Sequence, residues 1–195
     1  MALKVITAAV IEPVTLAEAK LHLRVDHDDE DTLITNLIKV ARELVEDGTW
    51  RTLLTTTWEL RLDDWPSMPL KMPKAPLQSI TSIKYVNDAG VEATVASTVY
   101  DADTYSEPGR IFFKKDQAWP SVNLYERGAV RIQFKAGWLS AAEVPYKIKA
   151  AMLLLIGHLY ENREEVIISS GLTPVVLPAG VNALLASEKV WKETF

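Results

Sequence analysis

The segment that most constrains the fold is an apolar stretch at residues 144–163. Pro145 suits the first position of a helix, where a missing backbone N–H costs no hydrogen bond. The helix that follows would be about 28 Å long at ~1.5 Å per residue. Its centre, residues 150–156, is apolar on all sides, so most of its surface should be covered. The cover must come from other helices of the chain or from a second copy of the protein.

Composition narrows the possible classes of protein. The chain has 195 residues, of which 48% are hydrophobic and 24% charged, as is ordinary for a soluble globular protein. Folding should bury about 70% of the surface of a chain of this size, which gives a real core. The absence of cysteine excludes a disulfide framework and any cysteine-based zinc site or nucleophile. The N-terminus lacks the basic start and long apolar core of a signal peptide, which predicts a cytoplasmic protein.

Two helices are predicted in the first 50 residues. Residues 14–24 carry Thr15 and Glu18 at capping-box spacing. Residues 31–47 have the clearest amphipathic pattern of the chain, and Gly48 is predicted to end that helix. An acidic bend at residues 26–31 places negative charge at the start of the second helix, where the helix dipole favours it. The apolar stripe of the second helix comprises Leu33, Ile34, Leu37, Ile38, Ala41, Leu44 and Val45.

After Gly48 the hydrophobic period changes from that of a helix to the alternation of strands. Strands are predicted at residues 54–62, 80–86, 91–95, 98–100, 110–113 and 130–135. Residues 65–76 contain four prolines and are predicted to be a connection. The predicted fold is therefore α+β. Two N-terminal helices and a long C-terminal helix form a helical body, with an inserted small antiparallel β domain and an extended C-terminal tail. The body comprises residues 1–49 and 138–164, the insertion residues 50–137, and the tail residues 165–195.

The tail is apolar but has no obvious partner in its own chain, apart from a short helix predicted at residues 181–191. We therefore expect it to bind a partner. Its predicted interface residues are Val166, Ile167, Ile168, Leu172, Val175, Val176, Leu177, Leu184, Leu185 and Trp191. The residues predicted to pack the helical body are Leu37, Leu44, Leu154, Ile156 and His158.

The sequence contains no catalytic motif, metal site or cofactor-binding loop that we can recognise. The acidic bend lacks the glycine and the terminal glutamate of an EF-hand loop, so it is interpreted as a solvated helix start. The three histidines are too scattered for a metal or catalytic site, and His158 is interpreted as a hydrogen-bonded core or interface residue. Glu164 and Glu165 are adjacent, and adjacent helical side chains do not converge.

Two other classes of function stay open at this point. One is a small hydrolase that uses carboxylates such as Asp101, Asp103 or Glu107. The other is a nucleic-acid-binding module, which would need a lysine stripe on one face because the net charge is −5. Lysines cluster only weakly, in two pairs without alternating aromatic residues, which favours a solvated edge. The pairs are Lys71 with Lys74 and Lys114 with Lys115.

Five segments of the sequence, taken in order, are similar to those of a known protein family. They are PVTLAEAKLHLRVD, DDEDTLITNLIKVARELVEDGTWRTLLTTTWEL, APLQSITSIKYVNDAG, GAVRIQFKAGW and VPYKIKAAMLLLIGHLYENREE. In that order they resemble the head–tail connector (adaptor) proteins of long-tailed bacteriophages, whose relatives occur in prophages and gene transfer agents. The resemblance covers about residues 13–165 and rests on the order of hydrophobic segments and turn residues.

The resemblance implies a structural protein that is not an enzyme and needs no cofactor, metal or membrane. Copies would form a ring of twelve, a dodecamer, beneath the portal protein, in the neck of a virion or phage-like particle assembled in the bacterial cytoplasm. The ring would extend the DNA channel and contact the next tail-proximal neck or stopper protein, while DNA passes without sequence-specific binding. The helices would build the ring, the β insertion would project from it, and the C-terminal segment would reach the portal.

Overall fold

The computed structural model of the chain describes residues 2–163 and 179–190. Eight strands and four α-helices lie in the described residues, which confirms the predicted α+β class. The chain divides into a strand unit, Met1–Val10 with Thr55–Leu139, and a helical unit, Ile11–Leu54 with Ser140–Phe195. This division differs from the predicted domains at the N-terminus, because the first ten residues group with the strands and not with the helices.

The strand unit contains two antiparallel sheets. Its strands are β1 (Ala2–Thr7), β2 (Thr56–Leu62), β3 (Leu70–Lys71), β4 (Leu77–Val86), β5 (Glu92–Thr94), β6 (Tyr100–Asp103), β7 (Arg110–Phe113) and β8 (Val130–Ala136). The larger sheet has the order β1-β2-β8-β4-β5 and the smaller one the order β3-β7-β6. The core of the unit is built from alternate residues of these strands. Leu60 lies opposite Ile132 in one pair, Ile83 lies opposite Ile132 in the next, and all three are fully buried.

Two parts of the strand unit differ from the sequence prediction. Strand β1 was not predicted; it pairs with β2, with Leu3 opposite Leu60, and its side chains are mostly exposed. Its stability comes from backbone pairing with a distant strand, which leaves little hydrophobic pattern to recognise. Residues 65–76 form a packed connection that includes β3, and Leu70, Met72 and Ala75 are buried there.

The helical unit contains α1 (Leu16–Leu23), α2 (Asp31–Thr49), α3 (Tyr146–Glu161) and α4 (Ala179–Leu185). The predicted capping box is present at α1, where Thr15 Oγ1 accepts from the Glu18 backbone and Glu18 accepts from the Thr15 backbone. The predicted end of α2 is wrong, because the helix continues through Gly48. Trp50 caps it instead, in the left-handed conformation with φ of 59°. A 3₁₀ turn, Ala186–Glu188, follows α4.

The core of the helical unit lies around α3. Helices α1, α2 and α4 all pack against α3, so the chain itself supplies much of the cover that its apolar sequence demands. The buried residues of these helices include Ile34, Ile38, Ala41 and Val45 of α2, Ile148, Ala151, Met152, Leu155 and Ile156 of α3, and Val181 and Leu185 of α4. In the described part of the chain, none of the helices combines the length and the apolarity needed to cross a bilayer.

Candidate assembly surfaces

Helix α3 keeps an exposed edge although three helices pack on it. Tyr146 is 86% exposed and Leu154 is 42% exposed. His158 is also exposed, and its Nδ1 lies 3.4 Å from Nδ2 of Asn162. Of the three α3 residues predicted to pack the body, only Ile156 therefore lies in the core of the single chain. His158 is therefore not a core residue of the single chain, and its interpretation as an interface residue stays a prediction.

Helix α2 presents a second apolar stripe that its own unit covers only in part. We name this stripe, Leu33, Leu37, Val40 and Leu44, the α2 seam. Its residues follow one another at intervals of four, three and four, which places them on one side of a helix. Val40 is 42% exposed, Leu44 is 38% exposed, and Leu33 and Leu37 are half-buried.

The seam corrects the predicted packing of α2. Leu37 and Leu44 were predicted to lie in the core of the body, but they lie on the seam, and Leu44 is exposed. At ~100° per residue, the apolar arc of α2 covers about half of the helix circumference. The half of that arc carrying Ile34 and Ile38 is buried, and the other half is the seam. In the sequence, the width of the apolar arc of α2 is the feature that indicates this exposed seam.

The carboxylates of the acidic bend are used in ion pairs within the helical unit. Lys20 Nζ lies 2.6 Å from Asp28 Oδ1 and 2.7 Å from Asp31 Oδ1, which ties α1 to the start of α2. Glu30 accepts hydrogen bonds from Tyr160 Oη and, at 2.6 Å, from Arg163 Nη2. These two donors lower the pKa of Glu30 below its ordinary value, Tyr160 having the larger effect. The bend therefore joins the end of α3 to the start of α2.

No metal centre is apparent at the bend or elsewhere in residues 2–163 and 179–190. No three histidine, aspartate or glutamate side chains in these residues are placed to hold a metal ion together. The acidic cluster is accounted for by its ion pairs and by the helix dipole at the start of α2.

The described end of the C-terminal tail is part of the helical unit. Val181 and Leu185 are buried, at 0% and 1% exposure. Polar contacts hold the following turn, because Arg51 Nε donates to the Glu188 carbonyl at 2.6 Å and Lys147 Nζ donates to Ser187 Oγ at 3.0 Å. The expectation that the whole tail lacks a partner in its own chain is thus wrong for residues 179–190.

The predicted tail interface divides accordingly. Leu185 is excluded as an exposed interface residue by its burial against the chain's own helices, and Leu184 is half-buried. The other predicted interface residues lie outside the described residues: Val166, Ile167, Ile168, Leu172, Val175, Val176, Leu177 and Trp191.

Two of the three carboxylates of the possible hydrolase site lie on one strand, and the third, Glu107, is exposed in the loop that follows it. Asp101 and Asp103 lie on β6 beside an open depression of about 590 Å³ that Lys114 and Lys115 also line. Asp103 accepts hydrogen bonds from the backbone of Tyr105 at 2.9 Å and of Ser106 at 3.0 Å, and so it shapes a turn. Hydrogen bonds from Ser106 hold the pKa of Asp103 below its ordinary value, which does not suit a general acid.

The lysine pairs do not form a stripe for nucleic acid. Lys74 is buried at 6% exposure, and its Nζ lies 5.3 Å from the ring centroid of Trp58. Lys114 Nζ donates to the Ser97 carbonyl at 3.1 Å. One member of the first pair is therefore unavailable to a phosphate backbone, and the second pair is too small a patch to provide a binding face.

An aromatic cluster fixes the proline-rich connection of the strand unit. The rings of Trp65 and Trp119 stack with centroids 4.8 Å apart, and Phe113 meets Trp119 edge-on at 5.0 Å. Trp119 Nε1 also donates to the Pro66 carbonyl at 2.8 Å. The stacked rings and this hydrogen bond anchor the connection within the strand unit, which gives the cluster a structural role.

In the described residues no metal-binding cluster is present, and similarity to known proteins gives the most direct indication of function. Residues 13–107 match the family model described as Phage gp6-like head-tail connector protein. This match confirms the predicted resemblance to head–tail connectors. No curated protein matches the chain in sequence.

Solved structures extend the likeness from the connector family model to the full chain. The fold is similar to a chain in the neck of an empty GTA particle computed with C6 symmetry, and to a chain in the virion of a native gene transfer agent (GTA) particle. Each has a TM-score of 0.80 and 25% identity, covering 100% of this chain and 98% of that chain. A chain in the neck of a native GTA particle computed with C12 symmetry has a TM-score of 0.77 at the same identity and coverage. The family match and the fold together support a structural connector role, and neither supports a hydrolase.

Proposed function

We propose that the chain is a structural head–tail connector (adaptor) that forms a ring beneath the portal in the neck of a phage-like particle. The observation that carries the proposal is the similarity of fold to a chain of a GTA neck, which covers 100% of this chain and 98% of the other. The family match over residues 13–107 supports the same role from the sequence. A ring of twelve copies agrees with the C12 symmetry applied to the similar native neck.

The ring extends the channel through which DNA passes between head and tail. The net charge of −5 supports this role, because a channel that bound phosphates tightly would retard the DNA. The scattered lysines described above likewise favour passage over sequence-specific binding. The chain acts through its shape and its contacts, without catalysis, metal or cofactor.

The apolar segment of the tail at residues 166–177 contacts the portal in this proposal. It connects α3 to α4, two helices that belong to one unit. Seven of the ten predicted interface residues fall in it, and such apolar segments are typical of partner binding. The next tail-proximal neck or stopper protein contacts the opposite side of the ring.

Deletion of the chain from a particle-producing strain tests the proposed connector role. We expect DNA-filled heads and separate tails in electron micrographs, and recovery of joined particles when the wild-type chain is supplied again. Joined, functional particles in the deletion strain would contradict the proposal.

Serine substitutions in the tail segment test the contact with the portal. Replacing Ile167, Val175 and Val176 together by serine should leave a folded protein that no longer attaches to heads. The matched control replaces Ser169, Ser170 and Thr173 by alanine and should attach as the wild type does. Equal attachment of both variants would contradict the role of this segment.

A further inference from the structure

We propose that the ring is held together by the α2 seam of each copy packing against the outer face of α1 in the next copy. This inference rests on the proposed ring and names its subunit contact. The seam offers two aliphatic side chains, Val40 at 42% and Leu44 at 38% exposure. The outer face of α1 offers Leu21, which is 81% exposed, together with the exposed Ala17. Ala17 and Leu21 share one side of α1 by their spacing, and the exposed Arg24 is the C-cap residue directly after the helix.

The two surfaces lie on opposite sides of the helical unit. The segment before α1 is held to α2 by an ion pair in which Glu12 Oε2 lies 2.9 Å from Arg42 Nε. Helix α1 itself is held to α2 by the ion pair of Lys20 with Asp31. Arg42 and Asp31 lie about 160–180° around α2 from Val40, at ~100° per residue. Helix α1 therefore lies along the edge of α2 opposite to the seam. Ala19 of α1 is fully buried, which turns Leu21 outward.

Two different complementary surfaces on opposite sides of a subunit produce a head-to-tail contact. Such contacts close into a ring when the rotation between neighbours is a whole fraction of a turn. A seam meeting a second seam would instead give a two-fold dimer, which stops after two copies. The positions of the two surfaces thus match the cyclic arrangement that the proposed function requires.

Charge favours the same pairing. Glu43 lies beside the seam with 67% of its side chain exposed, 3.6 Å from Arg42 Nη2. Arg42 is also paired with Glu12 and Glu46, so this edge keeps a net negative charge, while Arg24 follows the α1 face as its C-cap. When the seam of one copy packs against the α1 face of the next copy, opposite charges meet at the rim of an apolar contact. A contact between the seams of two copies would bring Glu43 of both copies together, which is unfavourable. The occupant of the seam that fits best is therefore the α1 face of a second copy.

Disulfide trapping tests this contact directly because the chain contains no cysteine of its own. Particles are assembled with the double variant Val40→Cys and Leu21→Cys, oxidised, and run on a non-reducing denaturing gel. Both positions are exposed, so the variant should fold, which circular dichroism of the purified chain checks. We expect a ladder at multiples of the monomer mass that collapses to one band on reduction.

Two control variants decide between the possible contacts. Val40→Cys alone should stay monomeric; a cross-linked dimer would show a seam-to-seam contact and overturn the proposal. Lys39→Cys with Leu21→Cys places the first thiol away from the seam and should give no ladder. If the double variant is present in the necks but is no more cross-linked than this control, the proposed contact is overturned while the proposed ring is not. Absence of the wild-type chain from the necks would instead overturn the proposed function.

A charge exchange gives a second readout that needs no disulfide geometry. Glu43→Arg or Arg24→Glu alone should lower the number of copies per particle by about ten-fold, since each places like charges at the rim of the contact. The double variant should restore it to within about two-fold of the wild type. Equal incorporation of the single and double variants would overturn the pairing of these two surfaces.

Discussion

Alanine substitutions at two positions of α2 should separate the core of the chain from its assembly surface. Ile38 is 2% exposed in the core of the helical unit, whereas Leu44 is 38% exposed on the seam. Truncating Ile38 removes about three methylene-sized groups at ~0.8 kcal/mol each, and the remaining cavity raises the cost in unfolding free energy to about 2–5 kcal/mol. Truncating Leu44 removes as many groups from a partly hydrated site and should cost about 1–1.5 kcal/mol.

Thermal unfolding followed by circular dichroism measures the difference. At ~2–4 °C per kcal/mol for a chain of this size, Ile38→Ala should lower Tm by about 4–20 °C and Leu44→Ala by about 2–6 °C. Leu44→Ala should also reduce the incorporation of the chain into particles, by more than its small loss of folding stability accounts for. Equal losses of stability for both variants would refute the division of the apolar arc into a core half and a seam.

Four further substitutions test the helical unit and the strand unit. Leu185→Ala should lower the unfolding free energy by about 2–5 kcal/mol in a denaturant titration, because the side chain is 1% exposed; a neutral result would mean that α4 is not part of the fold. Glu30→Gln should destabilise the chain at pH 7. Because the folded-state pKa of Glu30 is lowered from 4.5, the loss should disappear as the pH falls below 4.5 and through the folded-state pKa; a loss independent of pH would contradict the ion pair. Gly48→Ala should stabilise α2 by up to about 1 kcal/mol, since a Cβ there meets nothing within 4 Å. Gly109→Ala should destabilise the strand unit by about 1–3 kcal/mol, since its Cβ would lie 2.4 Å from Leu77 Cβ; similar effects at both glycines would contradict this packing.

Features encoded by short-range sequence patterns could be predicted. The capping box at Thr15 and Glu18 involves residues three apart, and the strand at residues 130–135 shows uninterrupted alternation. The resemblance to connectors also rests on local phrases, and residues 13–107 match that family. These features need no knowledge of which elements meet in space.

Features set by distant contacts could not be predicted. Strand β1 depends on β2, whose paired residues lie 50 to 59 positions further along the chain, and α4 is buried by helices whose positions the sequence does not give. The apolar arc of α2 was recognised, but periodicity alone cannot tell which half of an arc faces α3. The same ambiguity placed Leu44 in the core.

A reconstruction of the neck from particles that carry the chain, by electron cryomicroscopy without imposed symmetry, tests the central claim most directly. The account predicts a closed ring of this fold between portal and tail, with the DNA channel on its axis and twelve copies around it. Density for the chain elsewhere in the particle, or a neck built without it, would contradict the account.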